Sequence, residues 1–230
     1  MEWLSPAEWD AVALSLKVAF WATLCSLPFA LAAAHILARC RFPGKALFNG
    51  LVHVPLILPP VVTGYLLLIT FSLQAPVGAA LAKLGIVFAF QWTGAALAAA
   101  IMAFPLMVRA IRLSIDAVDP KLEQAAATLG ASRGWVYVSV TLPLILPGVL
   151  AGSILAFAKA MGEFGATITF VSNIPGQTQT LPSAVYAFLQ VPGAEGSALR
   201  LVIISVGIAF GALLLSESLS RRVARRIGST

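Results

Sequence analysis

Apolar positions in this chain come in long unbroken runs rather than in the period-two alternation of a half-buried strand. Five runs are long enough to cross roughly 30 Å of hydrocarbon as helices: about 12–38, 47–73, 86–108, 142–171 and 201–220. The polar segments between them are short, the longest being 109–141 and 173–198. No soluble domain can be cut from such a pattern. Residues 1–230 are therefore expected to form a single membrane domain, an all-α integral membrane protein of five transmembrane helices.

Composition agrees with this reading. Hydrophobic residues make up 60% of the chain and charged residues 10%, which leaves too little polar surface to solvate a compact globule. The net charge of +6 raises nucleic acid as a partner, but the basic residues mark sidedness instead. Arg39, Arg41 and Lys45 lie between the first two runs; Arg109, Arg112, Lys121 and Arg133 lie between the third and fourth; Arg221, Arg222, Arg225 and Arg226 follow the fifth. Five crossings put all of these on one face, which the positive-inside rule makes cytoplasmic. The amino terminus, with Glu2, Glu8 and Asp10, then lies outside, and the carboxyl terminus inside. The first run is too long for a signal h-region and lacks a basic n-region, so it reads as a retained span. Cys25 and Cys40 are too far apart along one helix to bridge, and His35 and His53 lack ligand-spaced neighbours, so no metal site is expected.

Several spans are interrupted. Pro55, Pro59 and Pro60 remove three backbone donors from "HVPLILPPVVTGY", ahead of Thr63 and Gly64, and the freed carbonyls need protein or a water-lined cavity. That span is expected to face inward. Pro105 interrupts the third span more mildly. Gly148 with Gly152, and Gly207 with Gly211, permit close helix approach. In "AKAMGEFGATITF" Lys159 and Glu163 stand four apart on one face, and each would be costly if stranded in lipid. Two readings stay open, a neutralised pair that locks two helices and a pair lining a permeation path, with Thr63, Thr167 and Thr169 as further path candidates. Gly162 and Gly165 around Glu163 indicate a loosened helix.

The segment "EQAAATLGASRGWVYVSVTLPLILPG" (123–148) holds a short cytoplasmic helix. Asp119 suits its N-cap, Pro120 its first turn, and Gly130 the left-handed position that ends it. Leu122, Ala125, Ala126 and Leu129 make an apolar stripe whose small side chains let another surface approach, as in a helix laid into a partner's groove. The alternative, a helix resting on the bilayer, ordinarily carries bulkier apolar residues.

The spacing of Ala125, Ala126, Gly130, Val140, Leu142 and Pro143 resembles the EAA loop of ABC importer permeases. The family's Glu position carries Gln124 here, with Glu123 immediately before it. "PLILPPVVTGYLLL" (55–68), "AFPLMVRAIRL" (103–113), "KLEQAAATLGA" (121–131) and "GEFGATITFVSNIPGQTQTLPSA" (162–184) are similar to the membrane subunits of molybdate importers. The resemblance implies type I ABC importer permease architecture and a coupling helix at Asp119, Pro120, Leu122, Glu123, Gln124, Ala125, Ala126, Leu129 and Gly130. It also implies a homodimer in the lipid of a bacterial inner membrane, two copies of a cytoplasmic ATPase and a periplasmic molybdate-binding protein. No G-x-x-x-x-G-K-[ST] run is present, so no cofactor is expected in this chain, and ATP with Mg would be bound by the ATPase partner. The outer segment after Pro182, with Val185, Phe188 and Leu189 at helical spacing, is expected to meet the delivery protein or form part of an outer gate. Permeases for tungstate or sulfate share the architecture. An ion-coupled secondary transporter, with Lys159 and Glu163 as a relay, is the alternative from another class.

Overall fold

A computed structural model describes residues 3–227, with side chains for 3–219. Glu2 and the side chains of Arg221, Arg222, Arg225 and Arg226 lie outside the described residues. The regular structure among the described residues is all helical: α1 Pro6–Arg39, α2 Lys45–Ile57, α3 Pro60–Phe71, α4 Pro76–Ala82, α5 Trp92–Asp116, α6 Pro120–Thr128, α7 Arg133–Val136, a π-helical turn Tyr137–Thr141, α8 Leu142–Met161, α9 Gly165–Val171, α10 Leu181–Leu189 and α11 Glu195–Ile227.

The centre of the bundle is α5, which buries Ala95, Ala98, Ala99, Met102, Ala103, Met107, Val108, Ile111 and Ile115. Its alanines allow α1 to come close with its own small side chains, Ala19, Ala22, Ala30, Ala33 and Ala34. In lipid, close backbone approach and dispersion replace the hydrophobic effect as the packing force. On another side α8 presents Gly148, where a Cβ would collide with the Ser114 side chain, and Gly152, where it would press on Ala110 of α5. Gly207 and Gly211 of α11 behave differently, since a Cβ on either meets nothing within 4 Å.

The expected second span is broken. α2 and α3 meet at an angle of 109° around Leu58, with Pro59 as the N-cap of α3 and Pro60 in its first turn. Four other helices, with α7, the π turn and α8 counted together, are long and apolar enough to cross a membrane, making five if the bent pair is one crossing. Contacts at its two ends show that the pair traverses the bundle. Near the start of α2, Asn49 Oδ1 accepts from Arg112 Nη1 at 3.2 Å, at the basic end of α5. At the end of α3, Phe71 packs on Phe88 and Phe170, beside the opposite end of α5. The expectation that this span faces inward holds for one side of α3, which buries Thr63, Gly64 and Leu67. α2 buries Val52 alone and leaves Leu47, Leu51 and Ile57 exposed.

Two further boundaries differ from the sequence expectation. The third span, expected over 86–108, is the helix 92–116: Phe90 takes a φ of 58° in a turn that delays the start, and Arg109 and Arg112 continue the helix beyond the apolar run. Within the fourth span the helix stops at Met161 and resumes at Gly165, so the break falls on Glu163.

The end opposite the basic one is tied by polar contacts between distant segments. Glu8, fully buried at 0% exposure, accepts from Arg200 Nη2 at 2.7 Å and Nε at 3.1 Å. Ser5 and Glu8 form a reciprocal capping box at the start of α1. Ser15 Oγ accepts from the Leu181 N–H at 2.6 Å, which seats α10 on α1. Lys17 Nζ lies 3.8 Å from the centre of the Trp92 ring, a cation–π contact at the start of α5.

Candidate functional site

The segment after α5 folds as its residues dictate. Asp119 caps α6, its carboxylate accepting from the Lys121 N–H at 2.9 Å, and Pro120 opens the helix. Gly130 ends it with a φ of +89°, and the Ala131 N–H returns to the Ala126 carbonyl at 3.3 Å. No residue of α6 is buried. Leu122 and Ala125 are exposed and Leu129 is 90% exposed, so most of the apolar stripe is uncovered. Ala126 is half-buried and Gln124 exposed.

Glu123 has a different setting. Its Oε2 lies 3.2 Å from Arg39 Nε, and its Oε1 accepts from Arg39 Nη2 at 3.3 Å and from Thr141 Oγ1 at 2.8 Å. Successive helix positions are about 100° apart, so the carboxylate one residue before Gln124 turns toward the bundle. Between α6 and the bundle lies a cleft of about 360 Å³ lined by His35, Arg39, Glu123, Arg133 and Tyr137 among others. His35 and Tyr137 stack edge to face at 4.9 Å.

The path candidates gather around the α8–α9 break. Lys159 Nζ donates to Glu163 Oε2 at 2.9 Å, and Glu163 Oε1 accepts from the Ala166 N–H at 3.1 Å. Glu163 thus occupies the positive end of α9 and is neutralised from both sides, which makes its 2% side-chain exposure tolerable. Lys159 is 34% exposed, so its ammonium has room for another partner. The Thr167 hydroxyl donates to the Phe164 and Glu163 carbonyls, and that of Thr169 to Gly165. Thr63 is buried in α3, its hydroxyl without a protein partner among the described residues. α3 and α9 cross at glycine contacts: a Cβ on Gly64 would strike the Ala166 carbonyl, and one on Gly165 would strike Pro60. The structure therefore places Thr63, Glu163, Thr167 and Thr169 on elements in mutual contact, with Lys159 at their exposed edge. A separate cavity of about 600 Å³ between α8, α10 and α11 is lined mostly by apolar side chains, among them Phe164, Val185 and Val206.

Sequence reasoning missed Arg39 and Thr141 as partners of Glu123, and Arg200 as the partner of Glu8. Arg39 was legible as a marker of sidedness only. Thr141 carries no sequence signal, because nothing in the string reveals the π turn that aims it at α6.

Comparison with known proteins agrees with this geometry. The model of the binding-protein-dependent transport system inner membrane component family matches residues 26–225. The chain is 58% identical over 226 residues to the molybdenum transport system permease protein ModB of Escherichia coli (strain K12), covering 98% of this chain and 99% of that one. It is 35% identical over 222 residues to the sulfate transport system permease protein CysT of the same strain, covering 95% and 80%. Among solved structures, a bacterial ABC transporter involved in the import of the acidic polysaccharide alginate shares the fold, with a TM-score of 0.74 at 18% identity over 95% of this chain and 80% of that one. An all-helical bundle with an uncovered, capped helix at its basic end, matched over nearly its whole length, belongs to the binding-protein-dependent transport system inner membrane component family.

Proposed function

We propose that this chain is the membrane subunit of an ATP-driven importer that carries molybdate across the bacterial inner membrane. The observation that supports a transport role coupled to a separate ATPase is α6, a helix with an uncovered small-residue stripe at the basic end of the bundle. The proposed substrate rests on the near full-length similarity to ModB. Two copies of the chain, two copies of a cytoplasmic ATPase that bind the ATP and Mg, and a periplasmic molybdate-binding protein complete the assembly. ATP-driven closure of the ATPases pushes on the two α6 helices and rocks the permease copies between inward-open and outward-open arrangements.

The oxyanion passes between the two copies. Lys159, the cation among the path candidates, has a side chain one-third exposed, and Glu163 offsets its charge. Such a site attracts a dianion without holding it too tightly to release. The similarity to CysT makes sulfate the second reading. ATP-dependent uptake into vesicles holding the chain, its ATPase and its binding protein, with sulfate and tungstate as competitors, tests both. Uptake that needs all three components and resists excess sulfate supports molybdate. Uptake abolished by sulfate favours the second reading, and uptake without ATP, driven by an ion gradient, sinks both.

A further inference from the structure

A helix with no buried residue is poorly held by packing, yet α6 must move with the spans if a push on it is to reach them. Among the described residues, one α6 side chain makes a hydrogen bond or ion pair beyond its own helix and cap, and that side chain is Glu123. We infer that Glu123 is the transmission residue of this chain: a positioning carboxylate that converts displacement of α6 into displacement of α1 and α8 together.

The geometry carries this in three steps. Arg39 is the last residue of α1, and its guanidinium holds Glu123 while also donating to the Val118 carbonyl at 3.0 Å, just ahead of the Asp119 cap. Thr141, 1% exposed, is the N-cap of α8, and its hydroxyl bonds the same carboxylate. One carboxylate therefore joins the end of one span to the beginning of another. The connections on either side of α6, 117–119 and 129–132, are short non-helical segments that would otherwise absorb the motion. The guanidinium makes one charge-assisted hydrogen bond, Nη2 to Oε1, and one close ionic contact, Nε to Oε2, to the same carboxylate, so the pair resists displacement of α6 away from α1. The π turn at Tyr137–Thr141 supplies the joint, since an extra residue in one helical turn is a place where the axis can bend. The motif departure at Gln124 acquires a physical meaning: in this chain the nearby carboxylate is spent on the permease itself and is turned away from the uncovered stripe.

The inference rests on α6 being the ATPase docking element, and the test separates the two. The complete complex of permease, ATPase and binding protein is reconstituted in vesicles, and two quantities are read: ATPase co-purification and molybdate taken up per ATP hydrolysed. Glu123→Gln is expected to co-purify with the ATPase as the native chain does, while uptake per ATP falls about tenfold, the size of an ordinary coupling free energy. The exchange Arg39→Glu with Glu123→Arg is expected to restore most of the ratio. Thr141→Val removes the α8 contact alone and is expected to lower the ratio about threefold, a loss that Thr141→Ser does not show. An unchanged ratio in Glu123→Gln and Thr141→Val overturns the inference. So does loss of the ATPase from Glu123→Gln, which would make the carboxylate a docking contact. Failure of the native chain to bind an ATPase removes the docking reading, and the inference with it.

Discussion

At Glu163 the two readings left open by the sequence share one energetic expectation and differ in what they predict for transport. The carboxylate is 2% exposed and has two donors, Lys159 Nζ and the Ala166 N–H, so removing the lysine strands a charge with one partner. Breaking a buried pair costs more than replacing both members. Because Lys159 is 34% exposed, solvent softens the loss, and Lys159→Met is expected to destabilise the chain by about 1–3 kcal/mol. The double variant Lys159→Met/Glu163→Gln is expected to recover most of it, read as the thermal unfolding midpoint in detergent. Uptake by the stable double variant then decides the role. Recovered transport makes the pair a lock between α8 and α9, whereas recovered stability without transport makes Lys159 a path residue. The sequence showed that these two residues share a face and that glycines flank the glutamate. It could not show the Ala166 contact, because that requires the chain to stop being helical at 162–164, a break set by tertiary crossing of α9 on α3 through Gly64 and Gly165.

Among the elements, α6 was the most legible, because its cap, its first-turn proline and its terminal glycine are all local chemistry. The spans were legible as hydropathy but not as helices. Hydropathy marks where lipid or core is met, and α5 runs eight residues beyond its apolar stretch because Arg112 finds Asn49 and Asp116 instead of ending the helix. The bend between α2 and α3 was legible as three prolines, but its angle was not, and α4 left no signal strong enough to predict. For α6 the exposure pattern sharpens the docking test. Ala126 is half-buried, so Ala126→Trp presses on the bundle as well as on a partner, whereas Ala125 is exposed and Ala125→Trp presents its bulk outward. Both variants are expected to insert normally in the membrane and to bind the ATPase at least about tenfold more weakly, a loss of roughly 1.4 kcal/mol or more. Co-purification at native yield from Ala125→Trp would mean that the stripe faces something other than the ATPase.

For the whole molecule, crossing parity decides which face α6 presents to which compartment. The contacts sort the chain into two ends. Arg39, Asn49, Arg112, Glu123 and Thr141 meet at one, and Glu8 with Arg200, Ser15 with Leu181, and Lys17 with Trp92 meet at the other. With the bent pair counted as one traverse, the chain crosses five times, and the two termini lie at opposite ends. Positive-inside bias predicts that the Arg39 end is cytoplasmic. The prediction can be tested without any partner. In a background with Cys25→Ser and Cys40→Ser, single cysteines are introduced at Lys121 and at Gln190, both exposed. A membrane-impermeant maleimide applied to intact cells is expected to label the Gln190→Cys variant fully and the Lys121→Cys variant only after the membrane is permeabilised. Labelling of both from outside would mean that α8 with α9 fails to cross, because that one crossing separates the two positions whatever α2 and α3 do. Labelling of Lys121→Cys alone would invert the molecule. Either result puts α6 beyond the reach of a cytoplasmic ATPase. The importer reading then fails on topology alone, whatever the similarity to molybdenum transport permeases.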